Sequence, residues 1–399
     1  MLQPKPLQSA DSPIRSAARA PAPQPFFGAM GAILVDDRGE FSFEGAIRRR
    51  EAAAVWQWLA RDIAPESIAS AAQSDDPAKA LELSIASLLT AARAAAAAAK
   101  SAEAERRLRA QLDGNDNVRR LPAVLNALRC LPLYGKAQAF GRAINGMPDD
   151  DAPVAALQSM PRQDASVAAL LMMAAVGEVF VPERLIIPAT KIAGEAEEIA
   201  LQRAGFGPLV DAMLAHAQNA LPPLLDRGVF ADADLICRAI ERFHRLVRAL
   251  TANVELAPRG AWSMTIAGLT KTIADRLEPR LRDVLPSINQ ALRLREGNDW
   301  LDSDSMLAAL NGLYLLTVVR DTRDSLALNK AFEETWERSA QVLELHLNRN
   351  LDALRQDPAN RVLAARMESG VKMAEIRFGT EYAGVLRSAL EGIGRRASG

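Results

Sequence analysis

Apolar residues return every three or four positions through most of this chain, the period of a helix with one buried face. The pattern is clearest from Ala231 to Asp357, where one helical unit is written twice. Moving Ala231–Ser287 forward by 70 positions onto Leu301–Asp357 superposes the apolar residues. Ala239 and Ile240 meet Ala309 and Leu310, and Phe243 and Leu246 meet Leu313 and Leu316. Trp262 meets Phe332, while Ile273, Leu277, Leu281 and Val284 meet Leu343, Leu347, Leu351 and Leu354. Both copies open on Asp-x-Asp, as Asp232 with Asp234 and Asp302 with Asp304.

Two amphipathic helices can always be slid until some leucines coincide. Here one offset runs across two helices and their connection, and the start is shared as well. Pro279 and Pro286 meet Arg349 and Gln356, so a kink is expected in the first copy alone. Each unit would bury its apolar face against the next, as in stacked helical arrays. The pattern predicts helix pairs over 234–251 with 261–294 and 304–319 with 325–356, Asp234 and Asp304 acting as N-caps.

Elsewhere the periodicity predicts helices over 44–63, 77–112, 118–145 (broken or kinked at Pro132), 167–181, 186–204, 206–225 and 360–393. The β signal is confined to Ala32–Phe43. Ile33-Leu34-Val35, Asp36-Asp37-Arg38-Gly39 and Glu40–Phe43 read as a hairpin in which Gly39 supplies a positive φ. Trp56 and Trp58 follow on one helix but point to different sides. The expectation is that both are buried between layers; the alternative makes Trp58 a contact for a partner.

Residues 1–27 are rich in Pro, Ala, Ser and Gln and read as a disordered leader. Residues 28–146 read as the hairpin-plus-helices region, Met147–Pro153 as a linker, 154–393 as the helical repeat domain and 394–399 as a disordered tail. The fold class expected is all-α: antiparallel helix pairs stacked as a bundle or short solenoid, with one small N-terminal hairpin.

Composition agrees, since alanine is abundant and aromatics are only 5%. A net charge of −1 gives no electrostatic case for nucleic acid, and Arg48–Arg50 and Arg106–Arg109 lie among acidic residues. The two cysteines, Cys130 and Cys237, sit in apolar helical contexts, as buried thiols of a reducing compartment do. No signal peptide is read at the N-terminus, and the strongly apolar run Val167–Gly177 is too short to span a bilayer. A cytoplasmic location is expected; the alternative is secretion by a system that threads an unfolded N-terminus. Abundant alanine and arginine fit a bacterial source of high GC content.

Motifs that carry chemistry fail on inspection. Gly135-Lys136 lacks the earlier Gly and the following Ser or Thr of a phosphate loop, and Phe27–Gly31 precedes a strand where a dinucleotide loop would follow one. Asp149–Asp151 and Asn298-Asp299 invite comparison with the paired metal motifs of helical prenyl-diphosphate-using enzymes. The first lies between prolines, and the second lacks its downstream hydroxyl and Glu. Asp302-Ser303-Asp304 lacks the Gly and Glu of a calcium loop. His216, His244 and His346 have no His or Cys one helical turn away, and a nucleophile elbow is absent.

No catalytic, cofactor or metal residue is therefore expected. The leading expectation is a non-enzymatic protein-interaction module (adaptor, regulator or scaffold) binding a protein partner through a helical groove or face. The alternatives are an exported bacterial effector or export-apparatus regulator, and a helical enzyme holding a cofactor or lipid in its core. A polar pocket holding carboxylates or His244 would favour the enzyme, and a shallow apolar surface the interaction module.

Overall fold

The computed structural model describes residues 24–147, 151–225, 232–294 and 300–397. Among these, eighteen α-helices and one pair of two-residue strands make up the regular structure, apart from short 3₁₀ and π turns. The protein is all-α. Two compact units divide the chain, one of residues 1–31 and 53–119, the other of residues 32–52 and 120–399. The division does not fall at Met147–Pro153: a helix already begins at Asp151, and residues 148–150 lie outside the described ones.

The smaller unit holds α1 (Gln24–Met30), the second half of α2 (Arg49–Trp58), α3 (Pro65–Ala72), α4 (Pro77–Ala98) and α5 (Ala102–Gln111). Helix α4 packs on α1 and α3 and buries Leu81, Ile85, Leu88, Leu89 and Ala92. The single helix expected over 77–112 is two, because Ser101 caps α5 by accepting the Ala104 N–H at 3.1 Å. Asp113 (φ 57°) and Gly114 (φ 121°) then turn the chain, as their residue types foretell. Helix α1 takes in Gln24–Phe27 of the expected leader, and residues 1–23 lie outside the described ones. By length and a mean hydropathy of 1.3 alone, α4 is long and apolar enough to cross a membrane, unlike the shorter run Val167–Gly177. Its hydropathy comes from four leucines and an isoleucine together with a run of alanines, which outweigh Glu82 and Arg93.

The larger unit begins with β1 (Leu34–Val35) and β2 (Ile47–Arg48), which pair in parallel, Leu34 with Ile47 and Val35 with Arg48. The expected antiparallel hairpin over Ala32–Phe43 is thus corrected. The side-chain amide of Gln218 takes the partner strand's place: Phe41 N–H donates to its Oε1 at 2.9 Å, and its Nε2 donates to the Phe41 carbonyl at 3.0 Å. Gly39 does not adopt a positive φ. It supplies room, since a Cβ there would lie 2.3 Å from Gln218 Nε2.

Next come α6 (Asn115–Arg129, from Arg120 in this unit), α7 (Leu131–Gly146), α8 (Asp151–Gln158) and α9 (Ala165–Val176). Helices α10 (Glu183–Ala193), α11 (Glu198–Arg203) and α12 (Gly207–Asn219) follow. Helix α9 carries no charge and buries every residue from Ala168 to Val176, as a helix apolar on all sides must. It packs against α7 and α12. Gly45 and Gly141 face its backbone so closely that a Cβ on either would stand 2.2 Å from the carbonyl of Ala169 or Ala175.

The repeated region supplies α13 (Ala233–Asn253), α14 (Ala261–Leu292), α15 (Ser303–Thr322) and α16 (Asn329–Gln356), then α17 (Arg361–Phe378) and α18 (Thr380–Ala397). The helix expected over 360–393 divides at Gly379 (φ 95°). Helix α18 includes the first four residues of the expected tail; residues 398–399 lie outside the described ones. Helix α14 runs through Pro279 and Pro286 as one continuous helix.

Ile273, Leu277, Leu281 and Val284 are buried, and so are their counterparts Leu343, Leu347, Leu351 and Leu354. The caps also correspond, but one position pair earlier than expected. Asp232 accepts the Leu235 N–H at 2.9 Å, and Asp302 accepts the Ser305 N–H at 3.1 Å, so these cap where Asp234 and Asp304 were expected to. Helix α14 packs against α12, α15 and α16, α13 against α15, and α17 against α15, α16 and α18.

Candidate functional site

Helix α14 presents Ile266, Ala267, Thr270, Lys271, Ala274 and Asp275 on one stripe, because positions three and four apart lie above one another. With Ser263, Leu256 and Ala327 they line an open groove of about 560 Å³. Leu256 comes from the loop that enters α14, and Ala327 from the loop that enters α16. The two loops correspond in the repeat, so the groove lies between one written unit and the next. Its floor is mostly methyl groups and short side chains, with Lys271 and Asp275 one turn apart. Met264, on the same helix, is 62% exposed.

A smaller cleft of about 20 Å³ lies on the other flank of α14, lined by Asp36, Arg38, Glu40, Gln218 and Arg276 among others. That is room for about one water molecule, not for a substrate. Arg38 donates to both carboxylate oxygens of Asp36, at 2.8 and 2.9 Å, and the pairing holds the Asp36 carboxyl below its ordinary value. Asp36 N–H donates to Asn219 Oδ1 at 2.8 Å.

The structure scatters the residues singled out from sequence. Trp58 is 1% exposed, so its indole is buried and not offered at the surface where a partner contact was the alternative expectation. Trp56 is half-buried. Cys130 and Cys237 are both buried free thiols, and burial pushes both upward, Cys237 to about 12. Asp149, Asp150, Asn298 and Asp299 lie outside the described residues. Among the described residues no group of three or more His, Cys, Asp or Glu side chains is gathered closely enough to hold a metal ion.

Each histidine is hydrogen-bonded within the fold. His216 Nε2 lies 2.8 Å from the Met173 carbonyl near the end of α9, and burial pushes this imidazole down to about 4. Arg242 donates to the carbonyls of Val176 (2.6 Å) and Val179, closing the same helix end. His244 Nδ1 meets Ser325 Oγ at 2.9 Å, and His346 Nε2 meets Asn289 Oδ1 at 2.8 Å. Burial lowers both of these imidazoles as well. None of the three lines the α14 groove.

Sequence reasoning passed over one cluster in the second repeat unit. The Arg377 guanidinium lies 3.6 Å from the centre of the Trp336 ring, and that of Arg320 lies 5.1 Å from it. Trp336 stacks on Phe332 at 5.7 Å, and Phe378 meets Tyr382 at 4.6 Å. The signal in the sequence was the departure from the repeat: Leu250, Ile266 and Leu269 have Arg320, Trp336 and Ser339 as counterparts.

No protein-family model matches the chain, and no curated protein or solved structure matches it at a significant level.

Proposed function

We propose that this chain is a non-enzymatic protein-interaction module, an adaptor, regulator or scaffold of the cytoplasm, in which the α14 groove receives a helix of a protein partner. The observation that carries the reading is the groove itself. It is open, of a size to seat side chains, and lined mainly by small and apolar residues, the surface a helix laid in a groove requires. His244 does not line the groove, and Asp275, one turn from Lys271, is the single carboxylate among its lining residues.

The finer architecture belongs to the same proposal: α12–α18 form antiparallel pairs stacked as a short array. Bond partners support it by advancing together along every second helix. Asp211 with Trp262 is followed by Leu221 with Arg276 and Leu224 with Arg280; Asn289 with His346 is followed by Leu292 with Asn350. In such an array each unit buries its neighbour's face, and a groove between successive units is the natural binding surface.

The test is affinity capture from the native host with the full-length chain and an Ala274→Arg variant that fills the groove. The reading expects a specific protein that is retained by the wild type and lost by a variant of unchanged circular dichroism. Capture of the same proteins by both would count against the groove.

A further inference from the structure

Three core positions of the first repeat unit change character together in the second. Leu250, Ile266 and Leu269 are buried, whereas their counterparts are an exposed Arg320, a half-buried Trp336 and a buried Ser339. The replacements meet one another through a residue outside the repeat. Arg377, on α17, stacks on Trp336, donates from Nε to Ser339 Oγ at 3.1 Å and from Nη2 to the Trp336 carbonyl at 2.9 Å.

Those bonds fix the plane of the guanidinium and leave Nη1 with no hydrogen bond to the described residues. No carboxylate among the described residues lies within ion-pair distance of Arg377; Glu344 acts on it only from farther away. Arg320 also lies over the Trp336 ring; it forms an ion pair with Asp321 through Nε at 2.8 Å and leaves both terminal nitrogens unused. Burial, with the neighbouring charge of Arg320, pushes Arg377 below its ordinary value. Two guanidinium groups therefore share one indole, one oriented by a stack and two hydrogen bonds, both with donors left over.

We infer that Arg320 and Arg377, seated on Trp336, form a binding site for a phosphate group. Paired planar forks match the oxygens of phosphate, and a group of charge near −2 answers two guanidinium ions better than a single carboxylate does. The phosphate is either a small free anion or the modified side chain of a bound protein, and the chemistry of the site is the same for both. The inference stands independently of the α14 groove.

Isothermal titration of the full-length chain with inorganic phosphate, and separately with a phosphoserine peptide and its unphosphorylated form, tests it. Saturable binding of phosphate or of the phosphopeptide alone is expected, weakened about tenfold or more in Arg320→Ala. Arg320 is exposed near the end of α15, and the variant's circular dichroism should match the wild type. Saturation by inorganic phosphate assigns a free anion; saturation by the phosphopeptide only assigns a modified side chain. Absence of saturable binding to both probes, or affinity unchanged in Arg320→Ala, overturns the inference.

Discussion

Trp262 donates its indole N–H to Asp211 Oδ1 across 2.8 Å, tying α14 to α12 through a carboxylate that the fold buries. Burial raises the Asp211 carboxyl above its ordinary value; the Trp262 bond pulls it back, and Glu44 and Glu198 push it up again. The indole is thus the donor that makes an otherwise costly group tolerable. Trp262→Phe keeps the ring and removes the donor, and should cost about 1–3 kcal/mol in chemical denaturation.

Asp211→Asn separates charge from hydrogen bonding, because the amide oxygen still accepts from Trp262. A carboxyl raised in the folded state adds stability below its unfolded value, and that contribution is lost as pH rises through the folded value. Relative to wild type, the thermal midpoint of Asp211→Asn should therefore climb as pH rises above about 4, the unfolded value. A difference independent of pH would show that Asp211 titrates alike in both states.

His216 gives the opposite slope. Its folded value of about 4 lies below the unfolded one, so the folded state holds it neutral and stability falls as pH drops below about 6.5. Between pH 7 and pH 5 this single group should remove about 2 kcal/mol. His244 and His346 are lowered by burial too and act in the same direction. His216→Gln, which can still donate to the Met173 carbonyl, should flatten the fall in thermal midpoint over that range.

Two glycines allow a contrast. A Cβ on Gly45 would meet the Ala169 backbone at 2.2 Å, whereas one on Gly268 would meet the end of the Phe41 ring at 2.7 Å. Backbone inside a buried helix cannot yield, but a half-buried phenyl ring can turn aside. Gly45→Ala should cost about 3 kcal/mol or more and Gly268→Ala clearly less, as read from urea midpoints.

Leu277 and Leu347 are 0% and 1% exposed and occupy the same place in the two written units. Leu→Ala at either should cost about 2–5 kcal/mol. Near-zero cost at both would end their equivalence as buried positions.

Much of the helical plan was legible because its causes are local. A 3.6-residue stripe over Ile273–Val284 and again over Leu343–Leu354 announces a buried face wherever the helix finally packs. Asp-x-Asp announced two helix starts, although the first Asp of each caps rather than the second. Pro132 stands just inside α7, where a missing N–H costs nothing. The hairpin misled because Ile33–Val35 and Glu40–Phe43 do have strand character. What they lacked was each other: Gln218, distant in sequence, satisfied the Phe41 backbone first.

The candidate sites were less legible still. The α14 groove needs Leu256 and Ala327 brought to one helix, and Trp58 is hidden by neighbours that its own helix does not supply. Hydrophobic period, helix propensity and capping residues, all short-range properties, determined that this chain is helical and which faces its helices bury. Which residue closes the end of α9, what completes the Phe41 backbone, and why Arg377 and Arg320 both lie over one indole were decided only by tertiary structure. Each depends on groups far apart in the chain, and a local period carries no record of which stripe will face which.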